Sequence, residues 1–137
     1  MTSPQDYHPM ILVVEDTEAT RELLYDLFTE EGYQVMLAED GAAAMTALAE
    51  VRPDLVTLDL ELPGINGTQV LELMRQDEQL QAIAVVIVSG LDPIPERATE
   101  LARAVIHKPF QLDDLLATVR RFVPPPEDDI ENGAAPK

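Results

Sequence analysis

A small set of residues with chemistry to offer stands where short apolar runs give out. Glu15 and Asp16 follow the run 10–14, Asp59 and Glu61 follow 54–58, Ser89 follows 84–88, and Lys108 with Pro109 comes after 104–106. If these runs are strands of one parallel sheet, their ends converge. Asp16 and Asp59 then lie side by side with Glu15 near, and unpaired like charges that close raise one another's pKa. A divalent cation removes the conflict, and oxygen-only ligands with room for water select Mg²⁺ over transition metals. The three carboxylates, one Mg²⁺ and Lys108 sum to zero charge. An acyl phosphate on Asp59 adds about one more negative charge at neutral pH, which Mg²⁺ and Lys108 are placed to offset. Ser89 adds a hydroxyl that can donate to a phosphoryl oxygen. Phosphoryl transfer asks a protein mainly for positioning and charge stabilisation, and this set supplies both.

Each member also has a plainer reading. Asp59 could be a turn residue before Pro63 and Gly64, and Glu15 and Asp16 could simply complement the dipole of a helix N-terminus. Ser89 could be a turn residue, Lys108 a surface lysine, and Glu61 a solvated acid. His8 falls in the N-terminal arm, and His107 alternates with Lys108 and is expected to face the other way, so neither competes as a ligand. The set, in this order and at these element ends, is what carries specificity.

The elements that must position these residues are legible from periodicity. Apolar runs at 10–14, 33–37, 54–58, 84–88 and 104–106 are short, and several are rich in Val and Ile, as in strands buried on both faces. Between them lie apolar stripes at helical spacing: Leu23, Leu24, Leu27 and Phe28; Ala44, Met45, Leu48 and Val51; Val70, Leu71 and Met74; Leu112, Leu115, Leu116, Val119 and Phe122. A short helix is expected within 94–103. Thr17 and Asp40 are candidate N-caps, Gly32 suits a helix end, and Pro93 and Pro95 suit a first helical turn. Five β–α units in succession predict an α/β fold, a doubly wound five-stranded parallel sheet between two helical layers. The unit count suits the flavodoxin-like strand order 2-1-3-4-5, whose site lies beyond the carboxyl ends of the strands. Residues 1–9 read as a flexible N-terminal arm, 10–123 as the domain, and 124–137 as a Pro-rich acidic tail that begins with Pro124, Pro125 and Pro126.

Composition narrows the function classes. At 137 residues and 15.1 kDa the chain suits one domain. The absence of Cys excludes disulfides and thiolate metal sites. A net charge of −17 repels phosphate backbones and anionic lipids, so neither nucleic acid nor membrane is an expected partner. The start of the chain lacks a signal-peptide pattern and the apolar runs are too short to span a bilayer, so a cytoplasmic location is expected.

At this point the sequence resembles the response regulator receiver domain of two-component signalling. The resemblance runs over about 10–123 and is carried by Ile11-Leu12-Val13-Val14-Glu15-Asp16, Leu58-Asp59-Leu60-Glu61-Leu62-Pro63-Gly64-Ile65-Asn66-Gly67, Val86-Ile87-Val88-Ser89-Gly90 and His107-Lys108-Pro109-Phe110. It implies Asp59 as phosphoacceptor, Glu15 and Asp16 as the acidic pair that holds Mg²⁺, and the Glu61 backbone carbonyl as a further ligand. It implies Ser89 as the switch hydroxyl, Lys108 as the phosphate-pairing lysine, and a Lys108–Pro109 bond that is often cis. The implied donor is a phosphohistidine on a histidine kinase or phosphotransfer protein. The implied protein is a phosphoacceptor that assists its own phosphorylation and dephosphorylation, not a turnover enzyme. Absence of an effector domain would make it a single-domain regulator that signals by altered binding to an output protein. The last helix, with the tail, offers a possible homodimer contact.

Three departures stand out. The family's aromatic residue three positions before the lysine is Val105 here. Lys108 follows Ser89 by 19 positions, a shorter interval than usual, and a Gly-Ala pair before the fifth strand is missing. Two rival readings remain open. One is a phosphorylation-independent interaction module built on the same fold. The other is a haloacid-dehalogenase-type phosphatase, echoed by Asp59-Leu60-Glu61 but opposed by an acceptor on the third strand and the lack of a cap insertion.

Overall fold

The computed structural model describes residues 7–126. Five strands alternate with five helices: β1 Met10–Val14, α1 Glu18–Glu30, β2 Gln34–Ala38, α2 Gly41–Glu50, β3 Leu55–Leu58, α3 Gly67–Gln76, β4 Ala84–Ser89, α4 Glu96–Leu101, β5 Ala104–His107 and α5 Leu112–Phe122. The sheet is wholly parallel, in the order β2-β1-β3-β4-β5, as the unit count predicted.

Alternation along the strands separates two cores. Leu12 and Val14, Val56 and Leu58, and Val85 and Ile87 face Ala44 and Leu48 of α2, Val70, Leu71 and Met74 of α3 and Ala98 of α4. Ile11 and Val13, Leu55, Val86 and Val88 face Leu24 and Phe28 of α1 and Leu115, Leu116 and Val119 of α5. Burial on both faces is why the central strands read as unbroken apolar runs. It also holds β1, β3 and β4 rigidly, which is what a site at their carboxyl ends requires.

Two of the local signals, Asp40 and Gly32, act as their types and positions predict. The Asp40 side chain accepts from Ala43 N–H at 2.7 Å and caps α2. Gly32 takes φ +103° just past α1, a left-handed conformation that a side chain would strain. Thr17 occupies the N-cap of α1, yet its side chain makes no cap hydrogen bond; its N–H donates instead to Glu15 Oε2 at 3.2 Å. Pro93 and Pro95 do not form a first helical turn. Pro95 sits at the N-cap of α4, and Pro93 lies upstream after a cis bond from Asp92.

The expected arm and tail are partly open to view. Residues 1–6 and 127–137 lie outside the described residues. Pro9 is buried and its carbonyl accepts from Gln34 N–H at 2.9 Å. The Tyr7 hydroxyl donates to the Pro124 carbonyl at 2.8 Å, and the Tyr33 hydroxyl to the Val123 carbonyl at 2.6 Å. Residues 7–9 and the start of the proline run are thus tied to the domain and to each other.

Candidate functional site

The site grows out of the ends of β1 and β3. Beyond Val14 the ladder continues for one more bond on each side. Glu15 N–H donates to Ala38 O at 3.0 Å, and Asp59 N–H to Val14 O at 3.0 Å. These bonds fix the backbone from which both acids project. Glu15 is 1% exposed and Asp59 4%, whereas Asp16 is open to solvent at the rim. Glu15, Asp16 and Asp59 each offer a carboxylate oxygen within 4.8 Å of the others'.

Lys108 arrives from the end of β5. Its Nζ donates to Glu15 Oε1 at 2.7 Å and to Asp59 Oδ2 at 2.9 Å. The other oxygens are also engaged: Asp59 Oδ1 accepts from Glu61 N–H at 3.0 Å, and Glu15 Oε2 from Thr17 N–H. The Lys108–Pro109 bond is cis, as the resemblance implied. His107 is exposed while Lys108 reaches the acids, so the alternation expected between them holds.

The electrostatics follow from burial. Desolvation, the largest influence on Glu15, raises its pKa. The hydrogen bonds from Lys108 and Thr17 pull it down, the charge of Asp59 pushes it up, and the net shift is upward. For Lys108 burial alone would lower the pKa, but the two carboxylates outweigh it and the ammonium is held charged above its ordinary range. With Lys108 included, three carboxylates and one ammonium leave a deficit of two positive charges.

Ser89, fully buried, ends β4. Its Oγ accepts from Leu91 N–H at 3.2 Å, which leaves its own proton free to be donated. Its carbonyl accepts from Lys108 N–H at 2.9 Å and ties the two strand ends together. The Glu61 side chain is exposed and leans toward Gly90, where its Oε1 lies 3.8 Å from the place a Cβ would occupy. The structure therefore gathers Glu15, Asp16, Asp59 and Lys108 at one point, with Ser89 and Glu61 at its margin.

The loop 60–66, which the Glu61 N–H bond ties to Asp59 at its start, is fastened at its far end by a feature that sequence reasoning missed. Asn66 and Gln69 form a reciprocal capping box at the start of α3, with both bonds at 2.9 Å. The Asn-x-x-Gln spacing before an apolar stripe was the available signal.

A family model described as the response regulator receiver domain matches residues 11–120. The chain is 36% identical over 115 residues to sporulation initiation phosphotransferase F of Bacillus subtilis, covering 83% of this chain and 93% of that protein. It is 36% identical over 129 residues to response regulator MprA of Mycobacterium avium, covering 90% of this chain but 56% of that one, so it spans about half the length of this longer relative. Among solved structures, response regulator TrrA of Thermotoga maritima in complex with Mg²⁺-BeF is similar at 30% identity and a TM-score of 0.78, over 84% of this chain and 99% of that one. A receiver domain from Methylobacillus flagellatus aligns at 26% identity and a TM-score of 0.77, over 85% and 99%.

Proposed function

Because the chain belongs to the response regulator receiver family of two-component signalling, we propose that Asp59 accepts a phosphoryl group in a Mg²⁺-dependent reaction. The observation that carries this reading is the pocket's charge: Lys108 is shared by Glu15 and Asp59, Asp16 is within reach, and the sum is two negative charges at a largely buried point. Glu15, Asp16, Asp59 and the backbone carbonyl of Glu61 would hold the ion. When bound, Mg²⁺ supplies two positive charges against the acids and the incoming phosphoryl oxygens.

The residues divide the work. An oxygen of Asp59 forms the new P–O bond as the P–N bond of a donor phosphohistidine breaks, and the imidazole leaves with the bonding pair. Lys108, already paired with Asp59, stays beside the new negative charge. The Ser89 proton, not used in its bond to Leu91, is available to a phosphoryl oxygen. Glu61 stands beside the route by which water would reach the acyl phosphate. The protein assists its own phosphorylation and dephosphorylation and is not a turnover enzyme in this reading. Its donor is a histidine kinase or phosphotransfer protein, its setting is the cytoplasm, and its product is altered binding to an output protein. Val105 packs against the α2–α4 core and has no ring to swing inward, so the readout proceeds without that device.

Incubation with acetyl phosphate and Mg²⁺, followed by intact mass, tests this. A Mg²⁺-dependent phosphate adduct that is absent in Asp59→Asn is expected. No adduct with acetyl phosphate or a phosphohistidine donor, together with no beryllofluoride binding, would instead favour the phosphorylation-independent interaction module.

A further inference from the structure

The loop from Leu60 to Asn66 follows Asp59 directly and contains Glu61. Most of it is exposed: Glu61, Pro63, Gly64 and Asn66 all face solvent. Yet two helices approach its backbone more closely than any side chain allows. A Cβ on Gly67, at the start of α3, would overlap the Asp59 carbonyl oxygen and come within 2.6 Å of Leu60 Cα and 2.9 Å of Leu60 Cδ2. A Cβ on Gly41, at the start of α2, would overlap the Ile65 carbonyl oxygen and come within 2.9 Å of Ile65 Cβ and 3.1 Å of its carbonyl carbon. The loop is therefore gripped at both ends by glycines from different helices.

Gly67 lies in the stretch already tied to Asp59. Gly41 does not: it is 18 positions upstream of Asp59, and the atoms nearest a Cβ placed there all belong to Ile65. We infer that Gly41 is a positioning residue for the phosphoacceptor site, setting the place of the Glu61 backbone through Ile65. Its backbone approach lets α2 act as a wall against which the loop is seated.

The direction of yielding decides the consequence. Helix α2 is anchored by Ala44 and Leu48, both 0% exposed, in the core shared with Leu58, Leu60 and Leu62. The loop segment 63–66 has no residue buried to that extent. A methyl group at position 41 therefore moves the loop before it moves the helix, by about an ångström, a misplacement that costs on the order of a hundredfold where geometry matters. Ile65 is separated from Glu61 by three residues, of which Leu62 is core-packed, and Glu61 N–H is bonded to Asp59 Oδ1, so the part of the displacement that Leu62 does not absorb reaches the acceptor carboxylate.

This inference rests on the proposed Mg²⁺-dependent phosphorylation, and its test separates the two. Mg²⁺ affinity is measured by calorimetry and adduct formation with acetyl phosphate by intact mass, in the full chain, for wild type, Gly41→Ala and Leu48→Ala. Leu48→Ala loosens the core that α2 shares with Leu60 and Leu62 but leaves the backbone approach of position 41 to Ile65 in place. Gly41→Ala is expected to lose tenfold or more in both readouts while its circular dichroism stays native, with Leu48→Ala unchanged in Mg²⁺ affinity once folded. Wild-type affinity and rate in folded Gly41→Ala would overturn the inference. If Gly41→Ala does not fold, Ile65→Gly, which alters only the loop's side of the contact, is expected to weaken Mg²⁺ binding several-fold, and unchanged binding there overturns it equally. A wild type that binds no Mg²⁺ and takes no phosphoryl group would sink the site assignment itself, and this inference with it.

Discussion

Lys108→Met should expose how much of the pocket's stability is electrostatic. Methionine keeps most of the stem's packing but removes the ammonium that sits 2.7 Å from Glu15 and 2.9 Å from Asp59. Removing one partner of a buried ion pair costs about 3–5 kcal/mol, because the other charge is left without compensation. The Lys108 side chain is 24% exposed, so water screens part of that loss, and about 2–3 kcal/mol is expected at pH 7 without metal. The pocket's charge passes from two negative to three, which favours a divalent cation. Mg²⁺ at about ten times its dissociation constant adds roughly 1.4 kcal/mol to a protein that binds it only when folded, and at equal concentration the variant should gain more than wild type. The acid side has a definite sign. Glu15 already has a raised folded pKa, and loss of Lys108 raises it further. The stability linked to its proton is then complete below the unfolded glutamate pKa and is lost as pH rises through the folded value. The gap between variant and wild type should therefore narrow as pH falls from 7 toward 5. Urea denaturation with and without Mg²⁺ reads both effects. A variant within about 0.5 kcal/mol of wild type, with the same gain from Mg²⁺, would refute the claim that Lys108 compensates these acids.

Two further perturbations test the frame that holds the site. Thr57, 1% exposed on β3 between Val13 and Val86, has a hydroxyl with no hydrogen-bond partner among the described residues. An unpaired buried polar group costs about 1–3 kcal/mol, so Thr57→Val should raise stability by about 1 kcal/mol; a loss in thermal or urea melts would mean that the hydroxyl bonds a buried water. The Tyr33 hydroxyl, buried and donating to Val123 O, has its pKa pushed up to about 12, chiefly by burial. Since that folded value lies above the unfolded one, the associated stability is complete below about pH 10 and lost as pH rises through 12. Tyr33→Phe should cost about 1–2 kcal/mol at neutral pH and flatten the decline between those limits, whereas an unchanged alkaline limb would show that another group governs it.

Much of this architecture could be read from the chain because its signals are local and repeated. Strands covered on both faces carry continuous apolar runs, and each run's end locates a residue that can be named before the fold is known. That is how Glu15, Asp16, Asp59 and Lys108 were placed together. Strand β2 starts one residue later than its apolar run because Tyr33 points into the α1–α5 core, edge-on to Phe28 with ring centroids 6.1 Å apart, and bonds the end of α5. The proline pair at 93 and 95 misled because composition cannot distinguish a first helical turn from the extended stretch that leads to it.

What escaped the sequence is a different class of interaction, one whose partner is a main-chain atom distant in sequence. Helix α4 has six residues and no side-chain cap, too short to persist on its own helical bonds. It persists because Ala98 is packed in the core and because Arg75 of α3 donates from Nε to the Leu101 carbonyl at 3.0 Å; the same side chain donates from Nη1 to the carbonyls of Gln81 and Ile83 at 2.9 and 3.1 Å. One guanidinium thus satisfies the last carbonyl of α4 and seats the loop before β4. Nothing near Arg75 in the sequence announces this, since its acceptors are main-chain atoms whose positions follow only from the folded path. The same is true of Gly41, which reads as an ordinary helix-start residue until Ile65 is seen against it. The acids and the lysine say what chemistry is available, while the groups that hold them in register act through backbone contacts. Substitutions at such positions should therefore alter the site while every residue with recognisable chemistry remains in place.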